Sequence, residues 1–238
     1  MIRGTTQDDR LGAKIDLTGD INGDGIEDLV ISSPSGGDVS TSPYSYYYSD
    51  RRGETYVIFG NGNGFSSTVN LNNLNGNNGF KVAGVNQDDS LGSAIAVGDI
   101  NGDGIDDLAV GAPYGGGRVT NYDYEYSVGN GRAYIIFGKQ SFTADVDVSS
   151  LDGDDGFALG GIDAQDNLGT AIASVGDING DGFEDLAISA AGAGQTITND
   201  DGYSYSDRRG ETFIVFGKNN FNSQINLALL DGSDGFKI

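Results

Sequence analysis

The sequence predicts an all-β protein made of three four-stranded antiparallel repeats. Three observations carry that prediction. A unit of about 79 residues recurs through the whole chain. Each unit holds four short segments of apolar, β-branched or small residues, separated by Gly, Asn and Asp. No segment sustains the 3.6-residue spacing of an amphipathic helix.

The repeat rests on four independent landmarks whose spacings all lie between 77 and 80 residues. Asp-Ile-Asn-Gly-Asp-Gly begins at Asp20, Asp99 and Asp177. Phe-Gly recurs at Phe59, Phe137 and Phe216. Gly-Phe recurs at Phe80, Phe157 and Phe236, and Leu-Gly at Leu11, Leu91 and Leu168. The expected units are residues 1–80, 81–158 and 159–238.

The second unit shows the elements in order. Leu91 to Val97 reads as a first strand rich in small residues (Ser93, Ala94, Ala96), and Asp107 to Ala112 as a second. Gly131 to Gly138 is a third, with Tyr134, Ile135, Ile136 and Phe137 supplying β-branched and aromatic bulk. Phe157 to Gly160 begins a fourth. Between them Gly, Asn and Asp supply turns and positive φ. Leu71-Asn72-Asn73-Leu74 and Ser149-Ser150-Leu151 are long enough for one helical turn at most. Four strands per unit in tandem is the pattern of β-propeller blades. A β-solenoid has shorter coils.

Composition narrows the function. There is no Cys and no His, so disulfides, Cys zinc sites, thiol nucleophiles and a Ser-His-Asp triad are excluded. The net charge of −22 opposes nucleic acid and anionic membranes, and no apolar run reaches transmembrane length. Leu, Ile, Val and Phe together make up roughly 24% of residues, above the level of disordered chains. Met1-Ile2-Arg3-Gly4 is not a signal peptide. The expectation is a mature form, fragment or excised piece of an extracellular or cell-surface protein.

The most specific chemistry lies between the first and second strands. The pattern D-x-N-x-D-G-x-x-D occurs in all three units. The candidate ligands are Asp20, Asn22, Asp24, Ile26 and Asp28, then Asp99, Asn101, Asp103, Ile105 and Asp107, then Asp177, Asn179, Asp181, Phe183 and Asp185. Side chains at positions 1, 3, 5 and 9, with the carbonyl at position 7, form an all-oxygen set suited to calcium, which takes 6–8 oxygens. Glycines at positions 4 and 6 permit the tight curl. Magnesium demands a stricter octahedron, and zinc prefers N and S donors. An EF-hand needs Glu at position 12 and flanking helices, but position 12 is Ile31, Val110 or Ile188, inside a strand. Three Ca2+ ions, one per unit, are expected.

These residues resemble the FG-GAP repeat of the integrin α-subunit propeller and its bacterial relatives. The calcium loop matches that pattern in all three units. Leu-Gly stands where the family opens its inner strand with Phe-Gly. Gly-Ala-Pro is complete at Gly111-Ala112-Pro113 but is Ser33-Pro34-Ser35 and Ala190-Ala191-Gly192 elsewhere. The resemblance implies a propeller in which calcium is structural.

Three blades are too few for a ring, since propellers have typically 4–8. The expectation is either part of a longer propeller or a homo-oligomer, for example two copies giving six blades. The hairpin between strands two and three is tyrosine-rich (Tyr44, Tyr46, Tyr47 and Tyr48; Tyr122, Tyr124 and Tyr126; Tyr203 and Tyr205). Such rings either brace neighbouring loops or offer contact area to a protein or glycan. The favoured function is a non-catalytic, calcium-stabilised scaffold for extracellular adhesion or protein binding. A glycan-binding lectin and a two-carboxylate glycosidase are the alternatives. Repetition of the acids in every unit favours architecture over a single active site.

Overall fold

The computed structural model describes residues 1–5, 8–41, 47–121, 124–127, 129–198, 200 and 204–238. It is all-β apart from two short 3-10 turns, Leu71–Asn73 and Leu227–Leu229. The first unit holds β1 (Ile15–Gly19), β2 (Asp28–Ser33), β3 (Val39–Thr41), β4 (Tyr47–Ser49), β5 (Glu54–Ile58) and β6 (Gly79–Ala83). The second holds β7 (Ala94–Gly98), β8 (Asp107–Ala112), β9 (Arg118–Asn121), β10 (Tyr124–Ser127), β11 (Arg132–Ile136), β12 (Asp145–Val146) and β13 (Gly156–Gly160). The third holds β14 (Leu168–Ser174), β15 (Leu186–Ala190), β16 (Thr196–Thr198), β17 (Ser204–Ser206), β18 (Glu211–Val215), β19 (Gln224–Ile225) and β20 (Gly235–Lys237).

Each unit, counted through the end of its fourth strand (β6 runs to Ala83 and β13 to Gly160, past the boundaries read from the sequence), contributes one antiparallel meander of four strands. The orders are β1-β2-β5-β6, β7-β8-β11-β13 and β14-β15-β18-β20. The pairs β3–β4, β9–β10 and β16–β17 form separate two-stranded hairpins at the expected tyrosine-rich connections. Tyr44, Tyr46, Tyr122 and Tyr203 lie outside the described residues.

Two features differ from the expectation. First, β7 begins at Ala94, not at Leu91. Leu91 is fully buried between Ser90 and Gly92, which carry positive φ (55° and 88°), and the same turn at Asn167 and Gly169 breaks the β14 register between Leu168 and Ala171. Second, a strand crosses from each unit to the one before it. β12 pairs in parallel with β6 (Asp145↔Lys81, Val146↔Val82), and β19 pairs in parallel with β13 (Ala158↔Gln224, Leu159↔Ile225). Ile2 makes the same parallel bridge to Val69.

The core lies between the sheets. One cluster joins Val57, Phe80 and Val82 of the first unit to Leu91, Leu108 and Ile136 of the second. Another joins Ile135, Phe157 and Leu159 of the second unit to Leu168, Ile188 and Phe213 of the third. The middle sheet is therefore covered on both faces, and every residue of β8 is buried. In β15 buried and half-buried residues alternate, as a strand covered on one face requires. Each Leu, Ile or Phe fully withdrawn from water contributes about 1.5–3 kcal/mol, so the junctions supply most of the stabilisation.

Candidate metal loops

The three aspartate loops connect β1 to β2, β7 to β8 and β14 to β15. Each curls through two glycines in the left-handed region: Gly23 and Gly25 (φ 69° and 86°), Gly102 and Gly104 (74° and 86°), Gly180 and Gly182 (80° and 97°). A β-carbon disfavours that conformation, which is why the sequence places glycine at both positions.

The side chains at positions 1, 3 and 5 turn onto their own loop backbone. Asp20 accepts the Asp24 N–H at 3.0 Å and the Gly25 N–H at 2.7 Å. Asn22 Oδ1 accepts the Asp24 N–H at 2.9 Å, and Asp24 accepts the Ile26 N–H at 2.9 Å. Asp99, Asn101 and Asp103 repeat this set around Gly104 and Ile105, as do Asp177, Asn179 and Asp181 around Gly182 and Phe183. N–H donation led by Gly182 holds the Asp177 carboxyl below its ordinary pKa.

The acid at position 9 has a different setting. Asp28, Asp107 and Asp185 are buried. One carboxylate oxygen of each accepts the N–H at loop position 2 (Ile21, Ile100 or Ile178, each 2.9 Å). The other accepts the glycine N–H of the distant Phe-Gly pair: Gly60 at 2.8 Å, Gly138 at 2.9 Å and Gly217 at 2.9 Å. Burial pushes the Asp28 carboxyl up to about 6 and the Asp107 carboxyl up to about 7, against the pull of these N–H donors.

The position-7 side chains pack outward onto the preceding loop. Ile105 lies against Gly23, and Phe183 lies against Gly102. The loops are also tied by backbone. The Asp106 N–H reaches the Asp20 carbonyl at 3.2 Å, and the Glu184 N–H reaches the Asp99 carbonyl at 3.4 Å. The Asp20 N–H in return donates to the Asp106 carboxylate at 2.8 Å. Burial, then the charges of Glu184, Asp99 and Asp20, raise the Asp106 pKa.

The donor set is oxygen-only and carries three carboxylates, which suits a hard divalent cation. Among the described residues no group of three or more acidic side chains stands close enough together to hold a metal. Each loop instead has its position 1–5 oxygens on its own amides and its position-9 acid on the Phe-Gly amide.

A second repeated turn escaped the motif reading. Asp9, Asp89 and Asp166 are buried just before Leu11, Leu91 and Leu168. Asp89 accepts the Asn86 N–H at 2.7 Å, and Asp166 accepts the Asp163 N–H at 2.6 Å. Positive φ at Asp8 and Arg10, at Asp88 and Ser90, and at Gln165 and Asn167 flanks them. The signal available was an Asp two residues before each Leu-Gly.

The FG-GAP repeat family profile matches residues 15–58, 91–136 and 168–206. Mouse phosphatidylinositol-glycan-specific phospholipase D is 33% identical over 172 residues, which is 72% of this chain and 17% of that protein. Drosophila melanogaster integrin alpha-PS2 is 29% identical over 201 residues, 84% of this chain and 11% of that protein. Cricetulus griseus integrin alpha-3 is 41% identical over 100 residues, 42% of this chain and 8% of that protein. The chain thus spans less than a fifth of the length of these relatives.

Proposed function

Since this chain belongs to the FG-GAP repeat family, we propose that it is a non-catalytic propeller scaffold, stabilised by calcium, for adhesion or protein binding outside the cell. The observation that carries this reading is one all-oxygen loop per unit, identical in pattern three times, on the junctions that hold the sheets together. The integrin alpha relatives support an extracellular setting, and no helix among the described residues is long and apolar enough to cross a membrane.

Calcium would be held by Asp20, Asn22, Asp24, the Ile26 carbonyl and Asp28, and by their counterparts in the other two loops. Its chemistry there is charge neutralisation: two positive charges set against three carboxylates. The chain's own part is to curl each loop and tether its position-9 acid to the next Phe-Gly turn. Chelation should lower the melting temperature and calcium should restore it. An unchanged melt after verified metal removal would sink the structural role. Adhesion is read separately, as calcium-dependent retention of intact cells on a surface coated with the chain.

A second reading has one observation behind it, the 33% identity to a phosphatidylinositol-glycan-specific phospholipase D. The chain has no His or Cys to serve as base or nucleophile, and its acids repeat in every unit. Release of product from a phosphatidylinositol-glycan substrate by the purified chain would overturn the non-catalytic reading.

A further inference from the structure

Each internal junction seats three parts of one unit on three places in the unit before it. Leu91 lies on Gly53 and Leu168 lies on Gly131, so closely that a β-carbon on either glycine would collide with the leucine backbone. Ile105 lies on Gly23 and Phe183 on Gly102. Phe142 stacks on Phe80 at 4.2 Å beside Phe59, and Phe221 stacks on Phe157 at 4.2 Å beside Phe137.

The two outer faces of the chain carry the same parts without their counterparts. The first unit presents Ile26 and Phe65 to solvent, and Leu11 half-buried against its own Ile31, Tyr56, Ile58 and Leu71. Phe65, five residues after Gly60, corresponds to Phe142 and Phe221, four residues after Gly138 and Gly217, yet it is 58% exposed. The third unit presents the empty places. A β-carbon on Gly180 would meet nothing within 4 Å, and one on Gly210 would meet nothing nearer than 3.9 Å. Phe216 and Phe236 form an edge-on pair at 6.0 Å with no third ring stacked on it among the described residues. Ile178 is 50% exposed, whereas Ile21 and Ile100 at the same loop position are sealed at 0% and 1%.

We propose that a second copy of this chain docks head to tail on these faces. Leu11 of one copy seats on Gly210 of the other, Ile26 on Gly180, and Phe65 on the Phe216–Phe236 pair. The backbone continues the internal pattern. Lys139 and Lys218 donate to the Ile21 and Ile100 carbonyls, both at 3.1 Å, and Asn61 takes that role toward Ile178. Glu27 takes the role of Asp106 and Glu184, whose N–H groups reach the Asp20 and Asp99 carbonyls, toward the Asp177 carbonyl. Ile2 holds on Val69 the place that Ile238 of the neighbour would take, and docking displaces it. Two copies satisfy both faces of each chain through two equivalent junctions related by a two-fold axis.

Two of the three seats, Leu11 on Gly210 and Phe65 on the Phe216–Phe236 pair, lie outside the calcium loops, while Ile26 on Gly180 lies within them, so association is read both with calcium and without it. The test is sedimentation equilibrium at fixed calcium and again in chelator, with circular dichroism to confirm folding. The expected result is a species of twice the mass of one chain. Phe65→Glu and Ile238→Glu each replace an exposed side chain and should each raise the dissociation constant at least about tenfold. Mixed together they restore association, because the intact tail of the first variant meets the intact head of the second. A folded monomer at all concentrations would overturn the proposal and leave these faces to a different occupant. So would variants that associate as the parent does, or a mixture no better than either variant alone.

Discussion

The buried aspartate at loop position 9 does more than its place in the motif requires. Asp107 accepts N–H groups on both oxygens, from Ile100 and Asn101 on one and from Gly138 on the other. In Asp107→Asn one of those oxygens becomes an NH2 facing an N–H. The expected loss is about 1–3 kcal/mol, read as a lowered denaturant midpoint in metal-free buffer. The same burial makes stability depend on pH. Asp28 and Asp107 titrate at about 6 and about 7 in the folded chain, against about 3.9 unfolded. Between those values the folded state holds the proton more tightly, so the metal-free chain loses stability as pH rises from about 4 to 7. Urea midpoints that climb across that window would contradict this account. The motif made these residues legible as acids of a loop. Their attachment to Gly60, Gly138 and Gly217, each beyond the next hairpin, was not, because it depends on tertiary contact. The one available hint was the near-constant distance in sequence from each position-9 Asp to its Phe-Gly pair.

Among elements, the three-ring clusters decide how firmly units hold. Phe221 is nearly buried and stacks on Phe157 with an interplanar angle of 13°. Phe221→Ala should cost about 3–5 kcal/mol in thermal or chemical unfolding. Phe65→Ala, at the equivalent position with no partner ring among the described residues, should change the stability of the isolated monomer by less than about 0.5 kcal/mol. Equal losses at the two positions would show that Phe65 is packed in the monomer. The main strands were legible because β-branched and aromatic runs bounded by Gly, Asn and Asp have few other homes. The start of β7 was not, since Leu91 is apolar like the strand residues after it and the positive φ of Ser90 and Gly92, which interrupts the ladder, leaves no apolar signal in the sequence. β12 and β19 were hidden for a simpler reason: two residues are too few to show any periodicity. The turn at Leu71–Asn73, capped by Asn70, is the single helical turn expected there.

Across the molecule, identical sequence positions have different fates according to what lies next to them. The chain reads as three equal units, yet the middle sheet is covered by both neighbours, the first seals Ile31, Tyr56 and Ile58 with Ile2, Leu11, Val69, Leu71 and Leu74 of its own unit, and β15 of the third alternates buried with half-buried residues. The sequence carries no mark of that difference, because exposure belongs to the neighbour and not to the residue. The threefold repetition was evident from the period, and the all-β architecture from the short β-branched and apolar segments each period carries. The sharing of strands between sheets was not, and it bears on how such a chain can grow or shrink. Every complete sheet borrows its fifth strand from the unit that follows, so the joint between repeats has no privileged position in the gene. An unequal crossover between two copies, at any phase of the repeat, removes or adds one whole period and leaves every remaining sheet but the last with a donor. Repeat number can therefore drift by single steps without a stage in which a sheet is left unfinished inside the array.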